Sequence, residues 1–338
     1  MTKRIESFDF IRAVCAIGII VYHYYCHSNS HIKLWYEFAN GSFGSGIVTT
    51  FFVLSGAVLY YNYQSITNMK EFFYKRWKSI FPAFYFAFFY FYIQNVLDMG
   101  SVFYSEHFWQ SLVGLDGYLA YRNANYYILG EWFLGAIVLL YILYPVLLWA
   151  FNKSELLTTA AIVCLYIWTL YTDFFVIDSF RNLISCLLSF EVGMLLMKHL
   201  HIMQRKYFFC VAIISFFLIC LFQYPFGNNI GNHLFGILFF CILYRGGELI
   251  MKVKRVNSCI KAISKISFEI FLLQHLIVIA VLEFKNPVTT WRSLILILIT
   301  ILMTLIAAQG LHIIVSAFLS GRPYQLFEKY LYKVLIKR

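Results

Sequence analysis

The first long apolar segment of the chain carries three ionisable residues, Asp9, Arg12 and His23. At about 100° per residue, a helix places Arg12 and His23 on one face, about 16 Å apart along its axis, and Asp9 one turn from Arg12. Charged groups inside a membrane span are costly and usually face a cavity or each other. A neutral imidazole can act as a general base or a nucleophile, and a guanidinium can bind an anion. These residues are therefore the catalytic candidates, although a snorkelling arginine and a histidine with a structural hydrogen bond would give the same pattern.

A basic stretch and a pair of small residues are candidates for binding a charged ligand. Lys75, Arg76 and Lys78 precede the third apolar segment, and clustered cations at a helix start attract phosphate groups. The same cations are also expected as an anchor on the positively charged side of a membrane protein. Ser55 and Gly56 either let a ligand approach the backbone or only permit close helix packing.

Three further residues lie within or at the ends of later apolar segments. Glu131 and Trp132 lie near the outer end of the fourth apolar segment, and His275 lies about two turns into the ninth. A second histidine in the membrane region favours a polar cavity. Trp132 can stack on a sugar, although interfacial tryptophans are more often membrane anchors. The loop histidines His199 and His201 lack a third ligand, and no metal site is predicted.

The composition indicates that these residues belong to a membrane protein. Of the 338 residues, 61% are hydrophobic and 13% are charged, against roughly 45–50% and about 25% in soluble proteins. So few charges cannot cover a water-facing surface, which excludes a soluble enzyme, a disordered regulator and a fibrous protein. We therefore predict an all-α, polytopic membrane bundle that forms one domain over residues 1–338. Apolar runs of about 20 residues, the length that crosses the hydrocarbon core, predict about ten transmembrane helices, at 9–27, 43–63, 79–97, 127–150, 156–173, 180–198, 207–224, 229–249, 266–284 and 292–319.

The distribution of positive charge predicts the orientation of the bundle. If the N-terminus is cytoplasmic, most of the 27 Lys and Arg residues fall in the inner loops, as the positive-inside rule requires. Both termini are therefore predicted to be cytoplasmic, with 321–338 a short basic tail on the inner leaflet. Arg12 and His23 interrupt the apolar run, so the first segment is predicted to remain in the mature protein.

The net charge and the cysteines add no further site. The net charge of +11 is explained by membrane orientation, and no basic face with interleaved aromatics indicates nucleic acid. The eight cysteines contain no CxxC pair and are predicted to be small buried side chains.

Five motifs in this order resemble the acyltransferase-3 family of integral membrane acyltransferases, which O-acetylate bacterial surface polysaccharides. The resemblance covers nearly the whole chain. Two positions depart from the usual pattern, since Ser79 replaces a second arginine and Ile137 replaces a glutamate. The matching residues are Arg12 and His23; Phe51, Phe52, Ser55 and Gly56; Phe73, Arg76 and Pro82; Trp132, Leu134, Tyr141 and Pro145; and Ser267, Phe268, Phe271, Leu272 and His275.

The resemblance implies an acetyl-CoA-dependent O-acetyltransferase of a bacterial cell membrane, with a glycan or glycolipid as the acceptor. On this hypothesis Arg76, with Lys75 and Lys78, holds the phosphates of acetyl-CoA, and the backbone at Ser55 and Gly56 lies beside the donor. Arg12, fixed by Asp9, orients the donor or stabilises charge near the thioester. His23 either deprotonates an acceptor hydroxyl or carries the acetyl group covalently. Glu131, Trp132 and His275 are assigned to the acceptor.

Two other classes of protein fit part of the pattern. A transporter or flippase for a glycan or organic anion would also line its path with intramembrane Arg and His residues. A signalling or scaffold protein would explain the hydrophobicity but not the shared face of Arg12 and His23.

Overall fold

Helices account for the regular structure of the chain. The computed structural model describes residues 4–30, 41–99, 108–122, 129, 131–172, 176–221, 228–287 and 289–336. These residues contain no strand, which confirms the all-α prediction. The helices are α1 (Glu6–His27), α2 (Phe43–Asn62), α3 (Met69–Met99), α4 (Phe108–Leu112), α5 (Asp116–Leu119), α6 (Glu131–Lys153), α7 (Glu155–Leu170), α8 (Leu183–Lys198), α9 (Leu200–Met203), α10 (Lys206–Leu221), α11 (Asn228–Ile250), α12 (Lys254–Lys265), α13 (Ser267–Phe284), α14 (Thr290–Ser320) and α15 (Arg322–Leu331), followed by a π-helical turn (Tyr332–Ile336).

Several of these helices have the length and composition of membrane spans. Among the described residues, six helices are long and apolar enough to cross a membrane, namely α1, α2, α6, α11, α13 and α14. Helices α7 and α10 are apolar but shorter. Each of the ten predicted spans overlaps one of the helices. The number of crossings and the orientation of the termini remain predictions.

Helix α1 is central to the bundle and carries the candidate catalytic residues. It packs against α2, α11, α12, α13 and α14. Its buried side chains join two apolar clusters, one through Ile11 and Cys15 and the other through Ile20 and Tyr24. Because α1 is held from several sides, the polar side chains between these apolar ones are fixed in position relative to α2 and α13.

Two glycines allow α2 and α8 to approach closely. A Cβ atom at Gly56 would overlap the backbone carbonyl of Phe190, and one at Gly193 would overlap the carbonyl of Val53. Small residues at a helix interface permit this backbone approach. Gly56 is therefore explained by helix packing.

Two segments that were not predicted as spans are also helical and pack on the bundle. Helix α12 lies in the loop between two predicted spans, and its Ser264 hydroxyl donates to Asp9 of α1 at 2.9 Å. The tail forms α15, whose Tyr324 hydroxyl lies 2.8 Å from the Tyr74 hydroxyl of α3. A search for membrane spans does not find these two helices, because both are amphipathic and too short to cross a bilayer.

Candidate active site

Two guanidinium groups share a cavity of about 160 Å³ beside the first half of α1. Arg12 and Arg76 both line this arginine cavity, and no carboxylate does so among the described residues. Two cations without a facing anion form a place where a negatively charged ligand is stabilised. The other lining residues are Phe51, Leu54, Ser55, Val58, Leu59, Ile80, Phe133, Ile137, Tyr141, Ser267, Phe268 and Phe271.

Asp9 pairs more closely with Arg4 than with Arg12. The Arg4 guanidinium donates to both carboxylate oxygens of Asp9, at 2.7 and 2.9 Å. Arg12 donates to the same carboxylate at 3.5 Å, a long contact. Asp9 is buried and is satisfied mainly by Arg4 and Ser264. The predicted Asp9–Arg12 pair is present, but it is the weaker contact, and Arg12 also lines the arginine cavity.

Aromatic rings position the guanidinium of Arg76. Its central carbon lies 5.4 Å from the ring centre of Tyr63 and 5.8 Å from that of Tyr141. Its Nε atom is buried and has no hydrogen-bond partner among the described residues. Aromatic faces hold a guanidinium without neutralising it. Arg76 is therefore held by aromatic rings at the wall of the cavity, where it can bind a ligand.

The neighbouring lysines are already paired with carboxylates. Lys75 contacts Glu71 at 2.7 Å, and Lys78 contacts Glu328 of the tail helix at 2.5 Å. The hydrogen bond from Lys78 holds the pKa of Glu328 below its ordinary value. Neither lysine lines the arginine cavity. Of the three predicted phosphate contacts, the structure brings Arg76 to the cavity and places both lysines outside it.

Three histidines meet in a second cavity, of about 330 Å³. His23 and His27 come from α1 and His275 comes from α13. The ring centres of His23 and His275 are 4.6 Å apart, and the Nε2 atoms of His27 and His275 are 3.1 Å apart. Cys26, Trp132 and Gln274 line the same histidine cavity. The imidazoles thus face a space that is large enough for a small substrate group.

Gln274 is the most unusual side chain of the histidine cavity. It is 1% exposed, and neither its amide oxygen nor its amide nitrogen has a hydrogen-bond partner among the described residues. An unsatisfied buried amide costs about 1–3 kcal/mol. Such a group is explained when a ligand in the cavity completes its hydrogen bonds.

Three phenylalanines separate the two cavities. Phe51, Phe133 and Phe271 line both of them. Phe133 contacts the other two rings, at centroid distances of 5.9 Å and 5.2 Å. Arg12 and His23 therefore lie on either side of an aromatic partition. These large side chains come from α2, α6 and α13, so the spacing on α1 alone could not show them.

A polar groove of about 890 Å³ adjoins the histidine cavity. Ser45, Phe180 and Arg181 line both spaces. The guanidinium of Arg181 lies 5.7 Å from the ring centre of Trp132. The rest of the groove carries hydroxyl, amide and carboxylate groups, supplied by Tyr171, Asp178, Ser179, Asn229 and Asn232.

A family comparison decides the class of this protein. The sequence model of the acyltransferase-3 family, described as an acyltransferase domain, matches residues 5–311. The chain belongs to this family. The protein is therefore a membrane acyltransferase, as the sequence motifs predicted. Comparisons with curated proteins and with solved structures each gave no significant match.

Six of the predicted site residues of the acyltransferase line one of the two cavities. Arg12, Arg76 and Ser55 line the arginine cavity, and His23, Trp132 and His275 line the histidine cavity. Gly56 lies in the contact with α8. Glu131 begins α6, and its side chain lies outside the described residues.

Several residues that the sequence did not indicate also belong to the two cavities of this acyltransferase. His27 follows His23 by one helical turn, a spacing that would have placed both imidazoles on one face. Gln274 lies within α13 next to His275, and Arg181 precedes α8, so neither formed a spacing pattern with another candidate. The aromatic partition was hidden by the abundance of phenylalanine, of which the chain has 36.

Proposed function

We propose that this acyltransferase moves an acetyl group from acetyl-CoA to a hydroxyl group of a glycan or glycolipid. The proposal rests on one observation, the order in which the two cavities and the polar groove adjoin one another. A cationic cavity, a cavity with three imidazoles and a polar groove adjoin one another. This order matches an anionic donor, a transfer centre and a polyhydroxyl acceptor.

The arginine cavity suits the donor because acetyl-CoA is polyanionic and its reactive end is a long, uncharged arm. Arg76 and Arg12 attract the phosphates, and the remaining walls are mainly apolar. A cavity of about 160 Å³ is far too small for the nucleotide, which stays at the mouth, and it holds only part of the narrow pantetheine arm. The arm then has to pass Phe51, Phe133 and Phe271 to bring the thioester to His23.

At the transfer centre, His23 acts as the general base in our proposal. Its neutral ring nitrogen takes the proton of the acceptor hydroxyl while that oxygen forms a bond with the acetyl carbonyl carbon. The amide nitrogen of Gln274 donates to the carbonyl oxygen as negative charge develops there. The tetrahedral intermediate collapses, the carbon–sulfur bond breaks, and the CoA thiolate takes the proton from His23. Atoms and charge then balance without another reactant.

The polar groove suits a sugar acceptor. Its hydroxyl and amide groups match the hydrogen bonds of a carbohydrate, and Trp132 and Phe180 offer aromatic faces beside it. The positive-inside bias places the Arg12 end of α1 at the cytoplasm, where acetyl-CoA is available. The groove then opens at the outer face of a bacterial cell membrane. In this arrangement the acetyl group crosses the bilayer while the CoA nucleotide does not.

A direct test separates the acyltransferase from a transporter of a glycan or organic anion. The purified protein in nanodiscs is supplied with radiolabelled acetyl-CoA and with octyl glycosides of common sugars, and free CoA thiol and acetylated glycoside are measured. We expect thiol release that depends on the glycoside. Mass spectrometry of surface glycans from cells with and without the gene is the matching experiment in vivo, and equal acetylation in both would contradict the proposal. Movement of a glycan across vesicles without thioester cleavage would favour a transporter.

Replacing Arg76 should weaken donor binding. We expect Arg76→Ala to raise the KM for acetyl-CoA at least about tenfold, because a charge-assisted hydrogen bond contributes about 1.5–3 kcal/mol. The KM for the acceptor should not change. Lys78→Ala is the matched control, since Lys78 is paired with Glu328 outside the cavity. An acceptor KM that rises while the donor KM stays constant would remove Arg76 from the donor site.

Removing the ring of Phe133 should uncouple cleavage of acetyl-CoA from acetyl transfer to the acceptor. We expect Phe133→Ala to increase hydrolysis of acetyl-CoA without acceptor several-fold, because water then reaches the thioester through the widened opening. The Phe133→Leu variant, which keeps most of the side-chain volume, should hydrolyse little acetyl-CoA in the absence of acceptor. Thiol release without acceptor measures the effect, and equal coupling in the Ala variant and the parent protein would show that Phe133 is no barrier.

A further inference from the structure

The histidine cavity has the donor set of a metal site. One ring nitrogen from each of His23, His27 and His275 lies within 4.8 Å of the other two. His23 and His27 are one turn apart on α1, so their rings project from the same face. His275 approaches from α13, a different helix. Two helices thus bring three ring nitrogens together, two from one helix and one from its neighbour.

The distances are close to those that a zinc ion requires. A tetrahedral Zn²⁺ with bonds of about 2.0–2.1 Å holds two nitrogen ligands about 3.3 Å apart. The Nε2 atoms of His27 and His275 are already 3.1 Å apart. His23 has to move nearer by rotation of its side chain, and the cavity leaves space for that rotation.

The side chains that line the histidine cavity determine which metal ions it favours. No carboxylate lines this cavity among the described residues, so Ca²⁺ and Mg²⁺, which prefer oxygen ligands, are disfavoured. Three imidazoles suit Zn²⁺ and similar transition metals. A three-histidine site leaves the fourth position of the ion open, and here that position faces the cavity.

We propose that His23, His27 and His275 bind one Zn²⁺ or a similar transition-metal ion. The ion takes the place of the hydrogen bond between the rings of His27 and His275. It also occupies the ring nitrogen of His23. The bound ion therefore controls whether that imidazole is free to accept a proton.

Direct metal binding tests the proposal independently of acyl transfer. The protein is purified with a tag that contains no histidine, treated with EDTA and titrated with Zn²⁺ by calorimetry. We expect one ion per chain. Co²⁺ should give the visible absorption of a tetrahedral site. Failure to bind one ion per chain would overturn the proposal.

Variants assign the ligands. His27 is exposed, so His27→Ala should leave the fold intact, and we expect it to weaken Zn²⁺ binding more than the about 10–100-fold typical for loss of an outer-shell partner. His201→Ala, at an exposed histidine elsewhere, is the matched control and should bind as the parent does. His27→Gln provides a second variant should the alanine protein aggregate. Unchanged affinity in both His27 variants, or equal loss in His201→Ala, would contradict the assignment.

The effect of zinc on catalysis rests on the proposed function and is measured separately. If His23 is the base, Zn²⁺ inhibits acetyl transfer in the parent protein, and EDTA reverses the inhibition. One-to-one binding without inhibition would preserve the metal site and contradict the role of His23.

Discussion

We expect His23→Ala to lose acetyl transfer by about 10²–10⁴-fold in kcat, the contribution typical of a positioned general base. The reason is that the acceptor hydroxyl would have to lose its proton without a base beside it. The KM for acetyl-CoA should change little, because the cationic donor contacts lie beyond the aromatic partition, at Arg12 and Arg76. The measurement is thiol release in nanodiscs with a saturating glycoside.

Two controls make the His23 experiment decisive. Unchanged membrane insertion and elution of the variant as a monodisperse peak show that the fold is retained. His201→Ala removes an exposed histidine outside the cavity and should transfer acetyl groups at the parent rate. Normal transfer by His23→Ala would refute the catalytic assignment.

A comparison of His23→Ala with the parent protein also distinguishes direct transfer from a covalent intermediate. If His23 carries the acetyl group, radiolabelled acetyl-CoA labels the parent protein in the absence of acceptor and releases one CoA per chain. His23→Ala then shows no label. If His23 is only a base, no label accumulates in either protein. We expect the second result, because Gln274 and the three imidazoles can stabilise direct attack on the thioester.

Much of the fold could be predicted because the membrane imposes simple rules. Every backbone group in the hydrocarbon core needs an internal partner, so long apolar runs become helices. The ten predicted intervals each overlap a helix of the structure. The amphipathic helices α12 and α15 were outside these rules, because tertiary contacts such as those of Ser264 and Glu328, rather than an apolar run, hold them on the bundle.

The candidate site was only partly predictable for a physical reason. Helical spacing relates residues on one helix, and it placed Arg12 and His23 on the same side of α1. It carries no information about which side chains neighbouring helices insert between them, so the partition around Phe133 was missed. It also could not show that Lys78 pairs with Glu328, a residue 250 positions away. The pairing of Lys75 with Glu71, four residues away, was visible in the local pattern, whereas the pairing of Lys78 with Glu328 was not.

The second large effect is expected at Gln274. We expect Gln274→Leu to reduce kcat by about 10²–10³-fold, the usual loss when one donor to a developing oxyanion is removed. The side chain of leucine is similar in size but cannot donate to the carbonyl oxygen. The KM for acetyl-CoA should stay close to that of the parent, because this hydrogen bond strengthens only as charge develops.

Thermal stability separates this role of Gln274 from a structural one. In the ligand-free protein both amide atoms are buried without a partner among the described residues, so replacing the amide with an apolar group removes a desolvation cost. We therefore expect the Tm of Gln274→Leu to equal or exceed that of the parent while kcat falls. A fall in Tm that parallels the loss of activity would show that the amide serves the fold. Full activity in the leucine variant would show that the acetyl carbonyl finds its hydrogen bond elsewhere.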